Sequence, residues 1–184
     1  TGVAACGKHF PGHGDTSVDS HVALPLVEHP PDRIRRVECV PFKEAVRQDV
    51  AFMMTAHILV PSMDEERPAT LAPSIVTDLL RETLGFRGVI LSDDLEMKAV
   101  ANAYAVPEAA VLAVAAGCDG VLICGEDHDV QAGAAEALVK AVETGALPLA
   151  RVEDAPRSVD GLDGQHDVLD LPVAARQLSR AARR

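Results

Sequence analysis

The chain has 184 residues, with 17 lysines and arginines against 28 acidic residues and a formal net charge of −11. That length buries one ordinary core, and the acidic balance argues against a nucleic-acid surface while favouring solubility. No apolar run is long enough to span a bilayer.

Four strand-like runs recur along the chain, at residues 2–6, 50–56, 87–92 and 119–124, each ending in polar or functional residues. Stretches of helical character separate them. Residues 41–49, 73–84 and 107–116 each begin with proline, which suits the first helical position, and carry apolar residues three and four apart. Residues 130–144 read as an alanine-rich amphipathic helix, with Asp129 as its cap and Gly145 as its stop. Strand then helix, repeated, predicts an α/β fold on a parallel sheet. In such a fold the loops after the strands open on one face, where Lys8, His57 and Asp93 are expected.

The first strand is followed by Lys8-His9-Phe10-Pro11-Gly12-His13-Gly14-Asp15-Thr16-Ser17 and then Asp19-Ser20-His21. Pro11 fixes one torsion, and Gly12 and Gly14 are expected to supply positive φ, so the stretch reads as a shaped loop. Side chains two apart in extended chain point the same way, so Asp19 can meet His21. A carboxylate on one imidazole nitrogen fixes the tautomer and makes a tunable general acid/base. Taken alone, such a pair carries almost no specificity and is far more often part of a solvated loop that caps turns.

Asp93 and Asp94 are adjacent, so in a strand only one of them faces a ligand; Ser92-Asp93-Asp94 also suits a helix cap. His9, His13, Asp15, Asp19, His21 and His57 offer metal-ligating chemistry, but their spacing matches no standard metal motif, and no metal or cofactor is expected. Cys6, Cys39, Cys118 and Cys124 are scattered among apolar neighbours and read as buried free thiols.

The string Lys8 to Pro25, KHFPGHGDTSVDSHVALP, closely resembles the signature of family-three glycoside hydrolases in their β-N-acetylhexosaminidase branch, which includes peptidoglycan-recycling β-N-acetylglucosaminidases. A second block, from Met54-Thr55-Ala56-His57 through Gly88-Val89-Ile90-Leu91-Ser92-Asp93-Asp94-Leu95-Glu96-Met97, resembles the part of that family that carries the nucleophile. The resemblance implies a retaining hydrolase on a (β/α)8 barrel that releases terminal β-linked N-acetylglucosamine from cell-wall or chitin-type saccharides. By motif position it makes Asp93 the nucleophile and Asp19 with His21 the acid/base pair, with Lys8 and His9 on sugar hydroxyls and no metal. His13 is expected to stabilise the loop, and His57 to be either site-facing or packed. A neutral histidine also repels an anionic acceptor less than a glutamate does, so phosphate is a conceivable acceptor beside water.

A (β/α)8 barrel takes about 250 residues. With the loop standing almost at residue 1, the expectation is four βα units, the C-terminal portion of such a barrel, at residues 1–152, and a tail of uncertain order at 153–184. The exposed edges of that portion suggest self-association. The alternatives are a β-glucosidase of the same family and a catalytically incomplete fragment or binding protein. The compartment expected is the cytoplasm, with secretion the alternative if a leader precedes Thr1.

Overall fold

The computed structural model describes residues 3–16 and 19–160, with side chains described through residue 154. Four strands, β1 (Cys6–Phe10), β2 (Phe52–Thr55), β3 (Val89–Asp94) and β4 (Gly120–Leu122), form one parallel sheet in chain order. Parallel neighbours require a crossover, and helices supply each one. After β1 come the short α1 (Pro31–Arg33), a wider-wound turn at Ile34–Glu38 and α2 (Val40–Arg47). A wide-wound helix, Ser74–Thr83, follows β2. After β3 come α3 (Lys98–Ala101) and α4 (Val106–Ala116), and after β4 come α5 (His128–Glu143) and α6 (Leu149–Asp160). This is the expected α/β architecture: four successive βα units of a barrel.

Strand alternation assigns the faces. In β2 and β3, Met53, Thr55, Ile90 and Ser92 are buried, on the face that the helices cover. Phe52, Met54, Leu91 and Asp93 occupy the opposite face and are half-buried. Asp93 therefore shares the inner face with Leu91, as a two-residue period requires. Asp94 points the other way. Ser92 Oγ, on the covered face, accepts the Leu122 N–H at 3.0 Å and ties β3 to β4.

β1 lies four residues later than expected, so that Lys8, His9 and Phe10 belong to the sheet and the loop begins only at Pro11. Cys6 pairs with Phe52, Gly7 with Met53 and Phe10 with Thr55, with a register irregularity between Gly7 and Phe10. Phe10 explains the shift. Fully buried, it packs edge-on against Phe42 of α2 at a centroid distance of 5.2 Å, which holds Lys8 and His9 in the strand. The Lys8–His9 and Phe10–Pro11 peptide bonds are cis.

Three further expectations need correction. The cap of α5 is Asp127, whose carboxylate accepts the Asp129 N–H at 2.9 Å; Asp129 is the donor. Of the four thiols, Cys39 and Cys118 are buried but Cys6 and Cys124 are exposed, and all four are free. Gly14 takes no positive φ, whereas Gly12 does, at 133°.

The boundary expected at 152/153 falls inside α6, which continues through Pro156 to Asp160. The stretch from residue 161 on, including the basic end at 176–184, lies outside the described residues.

At the N-terminal end of the strands, Asp119 acts as a clamp. Its carboxylate accepts from Arg81 Nη2 at 2.6 Å, Arg151 Nη2 at 3.1 Å and the Ile90 N–H at 2.9 Å. Arg81 also donates to the carbonyls of Phe86 and Gly88, and Arg151 to those of Val114 and Cys118. Among the described residues no helix is long and apolar enough to cross a membrane.

Candidate active site

Lys8, His9, Asp19, His21 and Asp93 all line one cleft of ≈ 920 Å³. Two come from β1, two from the loop that follows it, and Asp93 from the end of β3. The sequence therefore brings together residues 85 positions apart (93 minus 8) because parallel strands deliver their C-terminal ends to one face.

Asp93 lies in the cleft with its side chain 19% exposed. Its Oδ1 accepts the N–H of Asp94 at 2.9 Å, while Oδ2 lies 3.6 Å from His9 Nε2. Burial pushes the His9 imidazole below its ordinary pKa, and the Asp93 carboxylate opposes that shift. His9 is consequently a neutral group beside a carboxylate in the unliganded cleft at neutral pH.

Asp19 and His21 meet as their spacing predicts. His21 Nδ1 lies 2.8 Å from Asp19 Oδ1, which also accepts the His21 backbone N–H at 2.9 Å. An ionised carboxylate only accepts, so Nδ1 carries the proton and Nε2 is left for other chemistry. The backbone N–H of His21, and then its ring, hold the Asp19 carboxyl below the usual carboxylate range. Both side chains are well exposed, at 73% for His21 and 67% for Asp19, so the pair stands on the rim and Asp93 on the floor.

The loop between them is anchored by partners that no local sequence pattern announces. His29 Nε2 is in close contact with the Asp15 carboxylate, and Arg33 bridges Asp15 Oδ2 and Glu38 Oε1, each at 3.3 Å. Gly12 fits because it has no side chain: a Cβ there would approach Glu38 Cβ to 2.9 Å. Thr16 Oγ1 sits 2.9 Å from His13 Nδ1 and donates to the His13 carbonyl at 3.1 Å, the loop-stabilising role expected for His13. The one available signal is Pro30-Pro31-Asp32, a helix start that places His29, Arg33 and Glu38 beside the loop.

Ligand atoms of Asp15, His29 and Glu38 fall within 4.8 Å of one another, the reach of a metal trio. The guanidinium of Arg33 already contacts both carboxylates there and supplies positive charge. The six residues with metal-ligating chemistry near the first block and at the second divide instead into separate partnerships. His9 stands near Asp93, Asp15 with His29, Asp19 with His21 and His13 with Thr16, and His57 lies elsewhere.

His57 is fully buried and does not line the cleft. Its Nδ1 is 2.9 Å from Thr70 Oγ1, and its Nε2 is 2.9 Å from the main-chain oxygen of Asp94. Of its two expected roles it takes the packed one. Asp94 has a part of its own: Oδ1 accepts the N–H groups of Glu96 at 3.1 Å and Cys124 at 3.2 Å, joining the ends of β3 and β4.

Residues 1–162 match the family described as Glycosyl hydrolase family 3 N terminal domain. A protein named Beta-hexosaminidase from Methylobacillus flagellatus is 41% identical over 125 residues, 68% of this chain and 36% of that protein. Another Beta-hexosaminidase, from Thiobacillus denitrificans, is 43% identical over 123 residues, 67% of this chain and 34% of that one. The chain thus spans about a third of the length of these relatives. Among solved structures, a glycoside hydrolase family 3 β-N-acetylglucosaminidase from Paenibacillus sp. superimposes with a TM-score of 0.85 at 37% identity, over 98% of this chain and 38% of that one. With a match this long and a cleft built from both signature blocks, the chain belongs to glycosyl hydrolase family 3, through that family's N-terminal domain.

Proposed function

We propose that this chain carries the nucleophile and the acid/base pair of a β-N-acetylglucosaminidase, which removes terminal non-reducing β-linked N-acetylglucosamine from cell-wall or chitin-type saccharides. The observation that carries the proposal is the single cleft shared by Asp93, the Asp19–His21 pair, Lys8 and His9. The relatives named Beta-hexosaminidase and the β-N-acetylglucosaminidase that superimposes on the chain support the substrate class.

In the first step Asp93 Oδ2 attacks the anomeric carbon as the bond to the leaving oxygen breaks, through an oxocarbenium-like transition state. His21, as imidazolium, gives its Nε2 proton to that oxygen and becomes neutral. The sugar is then an ester of Asp93. In the second step neutral His21 takes a proton from water, whose oxygen attacks the anomeric carbon and releases Asp93 as carboxylate. Two inversions leave the β configuration retained.

Asp19 holds the ring with Nε2 outward and stabilises the imidazolium, the part a carboxylate plays beside a catalytic histidine. The exposed rim suits a group that must reach an aglycone and then admit water. Lys8 and His9 have the donor inventory for sugar hydroxyls, and a neutral His9 can donate or accept there.

The test is trapping with a 2-deoxy-2-fluoro glucoside bearing a good leaving group, in which fluorine stands where N-acetylglucosamine carries its acetamido group, using the full-length gene product, followed by peptide mapping. A glycosyl label on Asp93 is the expected result. Attachment to any other residue overturns the nucleophile assignment, and hydrolysis abolished by a chelator overturns the metal-free mechanism.

A further inference from the structure

We infer that His57 is a positioning residue for the nucleophile, acting through the main chain of Asp94; the inference rests on Asp93 being that nucleophile. The argument begins with hydrogen counting. A main-chain carbonyl only accepts, so His57 Nε2 must carry the proton that reaches the Asp94 oxygen at 2.9 Å. Burial pushes the His57 imidazole below its ordinary pKa, so the ring is neutral and Nδ1 is bare. Nδ1 then accepts from Thr70 Oγ1 at 2.9 Å. Thr70 has one hydroxyl hydrogen and a second acceptor in reach, the Ala56 carbonyl at 3.0 Å, while its oxygen takes the hydrogen of Thr55 Oγ1 at 2.9 Å.

The result is a directed chain, Thr55 to Thr70 to His57 to the Asp94 carbonyl, in which each group is fully buried up to that last link. In a buried chain of this kind, displacing the ring leaves the Asp94 carbonyl and the two ring nitrogens without their partners. It ends one residue from the nucleophile. Asp94 is fixed at its carbonyl by His57 and at its carboxylate by the N–H groups of Glu96 and Cys124. Its own N–H is therefore held in place, and that N–H binds Asp93 Oδ1 at 2.9 Å. Held at Oδ1, the Asp93 carboxylate presents Oδ2 to the cleft, on the side of His9.

Because His57 does not line the cleft, it touches no substrate, and its effect must appear in rate rather than in sugar affinity. A displacement of about an ångström at reacting groups is worth up to roughly a hundredfold in rate.

Two substitutions separate positioning from packing. In His57→Gln the side-chain amide nitrogen reaches about as far as Nε2 and keeps a donor for the Asp94 carbonyl. In His57→Asn the amide reaches only as far as Nδ1, so the hydrogen bond to Thr70 is kept while the Asp94 carbonyl is left without its donor. With the full-length gene product, the rate of Asp93 labelling by the 2-fluoro glycoside and kcat are expected to fall by about tenfold to a hundredfold in His57→Asn. KM and inhibition by free N-acetylglucosamine should be unchanged, and His57→Gln should recover most of the loss.

A folded His57→Asn variant that labels at the wild-type rate overturns the inference, and so does an equal loss in both variants. Should His57→Asn not fold, the near-isosteric Thr70→Val removes the donor that fixes the ring, and an unchanged labelling rate there is equally fatal. Absence of any label on Asp93 in the wild-type protein instead brings down the functional proposal itself, so the two failures are distinguishable.

Discussion

His9 and Asp93 approach to 3.6 Å from strands that have β2 between them, close enough for charge to be felt but beyond a hydrogen bond. The Asp93 anion is what opposes the burial-driven fall in the His9 pKa. Replacing Asp93 by Asn removes that opposition, so the His9 pKa should drop further. Histidine C–H resonances followed through a pH titration of the full-length protein check this. A His9 pKa that rises in the variant contradicts the geometry.

The acid/base role proposed for Asp19 and His21 leads to a prediction about leaving groups. Replacing His21 by Ala should lower kcat by about 10²- to 10⁴-fold on a saccharide whose departing oxygen needs a proton. With a dinitrophenyl glycoside, whose phenolate leaves unaided, formation of the covalent intermediate should be nearly unaffected. Equal losses on both substrates would falsify the assignment of His21 as the proton donor. Asp19→Asn should follow the same pattern with a smaller loss, because the imidazole remains but its orientation and charge are less well supported.

The same pair has a definite pH dependence. The folded-state pKa of Asp19 is depressed by the His21 N–H and ring, so their contact is complete above the ordinary aspartate range. It is broken only as pH falls through the lowered value. The pairing should therefore survive at the pH where a free aspartate is half protonated. Carboxyl ¹³C shifts of Asp19 report it directly; a midpoint at or above the ordinary value contradicts the structure.

Local pattern makes much of this legible in the sequence, and what escapes is long-range or backbone-mediated. Asp19 and His21 are two apart, and a two-residue period suffices to bring them together. Asp93 and Asp94 separate onto opposite faces for the same reason. β1 departs from its expected place because the apolar Val3-Ala4-Ala5-Cys6 looks more strand-like than Lys8-His9, and only the burial of Phe10 against Phe42 decides the register. His57 can be placed at a strand end, but its partner is a carbonyl 37 residues later, and carbonyls carry no sequence signal. The Asp15–His29–Arg33–Glu38 network likewise joins a loop to a helix start in a stretch with little periodicity.

That network should govern the order of the loop that carries Asp19 and His21. Asp15 is held below the ordinary carboxylate range first by the His29 hydrogen bond, then by the charges of His29 and Arg33. Its contribution is present above the ordinary range and disappears as pH falls through the lowered pKa. Asp15→Asn removes it at the pH values where the carboxylate is ionised. Amide hydrogen exchange at residues 12–16 and 19–22 is expected to quicken, with kcat falling several-fold while Asp93 stays competent. Unchanged exchange in a folded variant counts against the network as an anchor.

Asp119 lets stability be tested apart from catalysis. With its side chain 2% exposed, it is shared by Arg81 and Arg151, and it also receives the Ile90 N–H. Asp119→Ala strands two partly buried guanidinium groups and an amide, a loss of about 3 kcal/mol by the behaviour of buried ion pairs. Asp119→Asn keeps an acceptor oxygen for one arginine and should lose less. Both arginines also bind carbonyls, so neither is released entirely. The clamp lies at the end of the sheet away from the cleft, and activity per folded molecule should be unaltered. Urea denaturation of the full-length protein measures the first quantity, and active-site titration with the 2-fluoro glycoside the second. A midpoint unchanged in Asp119→Ala shows that the arginine–carbonyl bonds alone secure this end of the sheet.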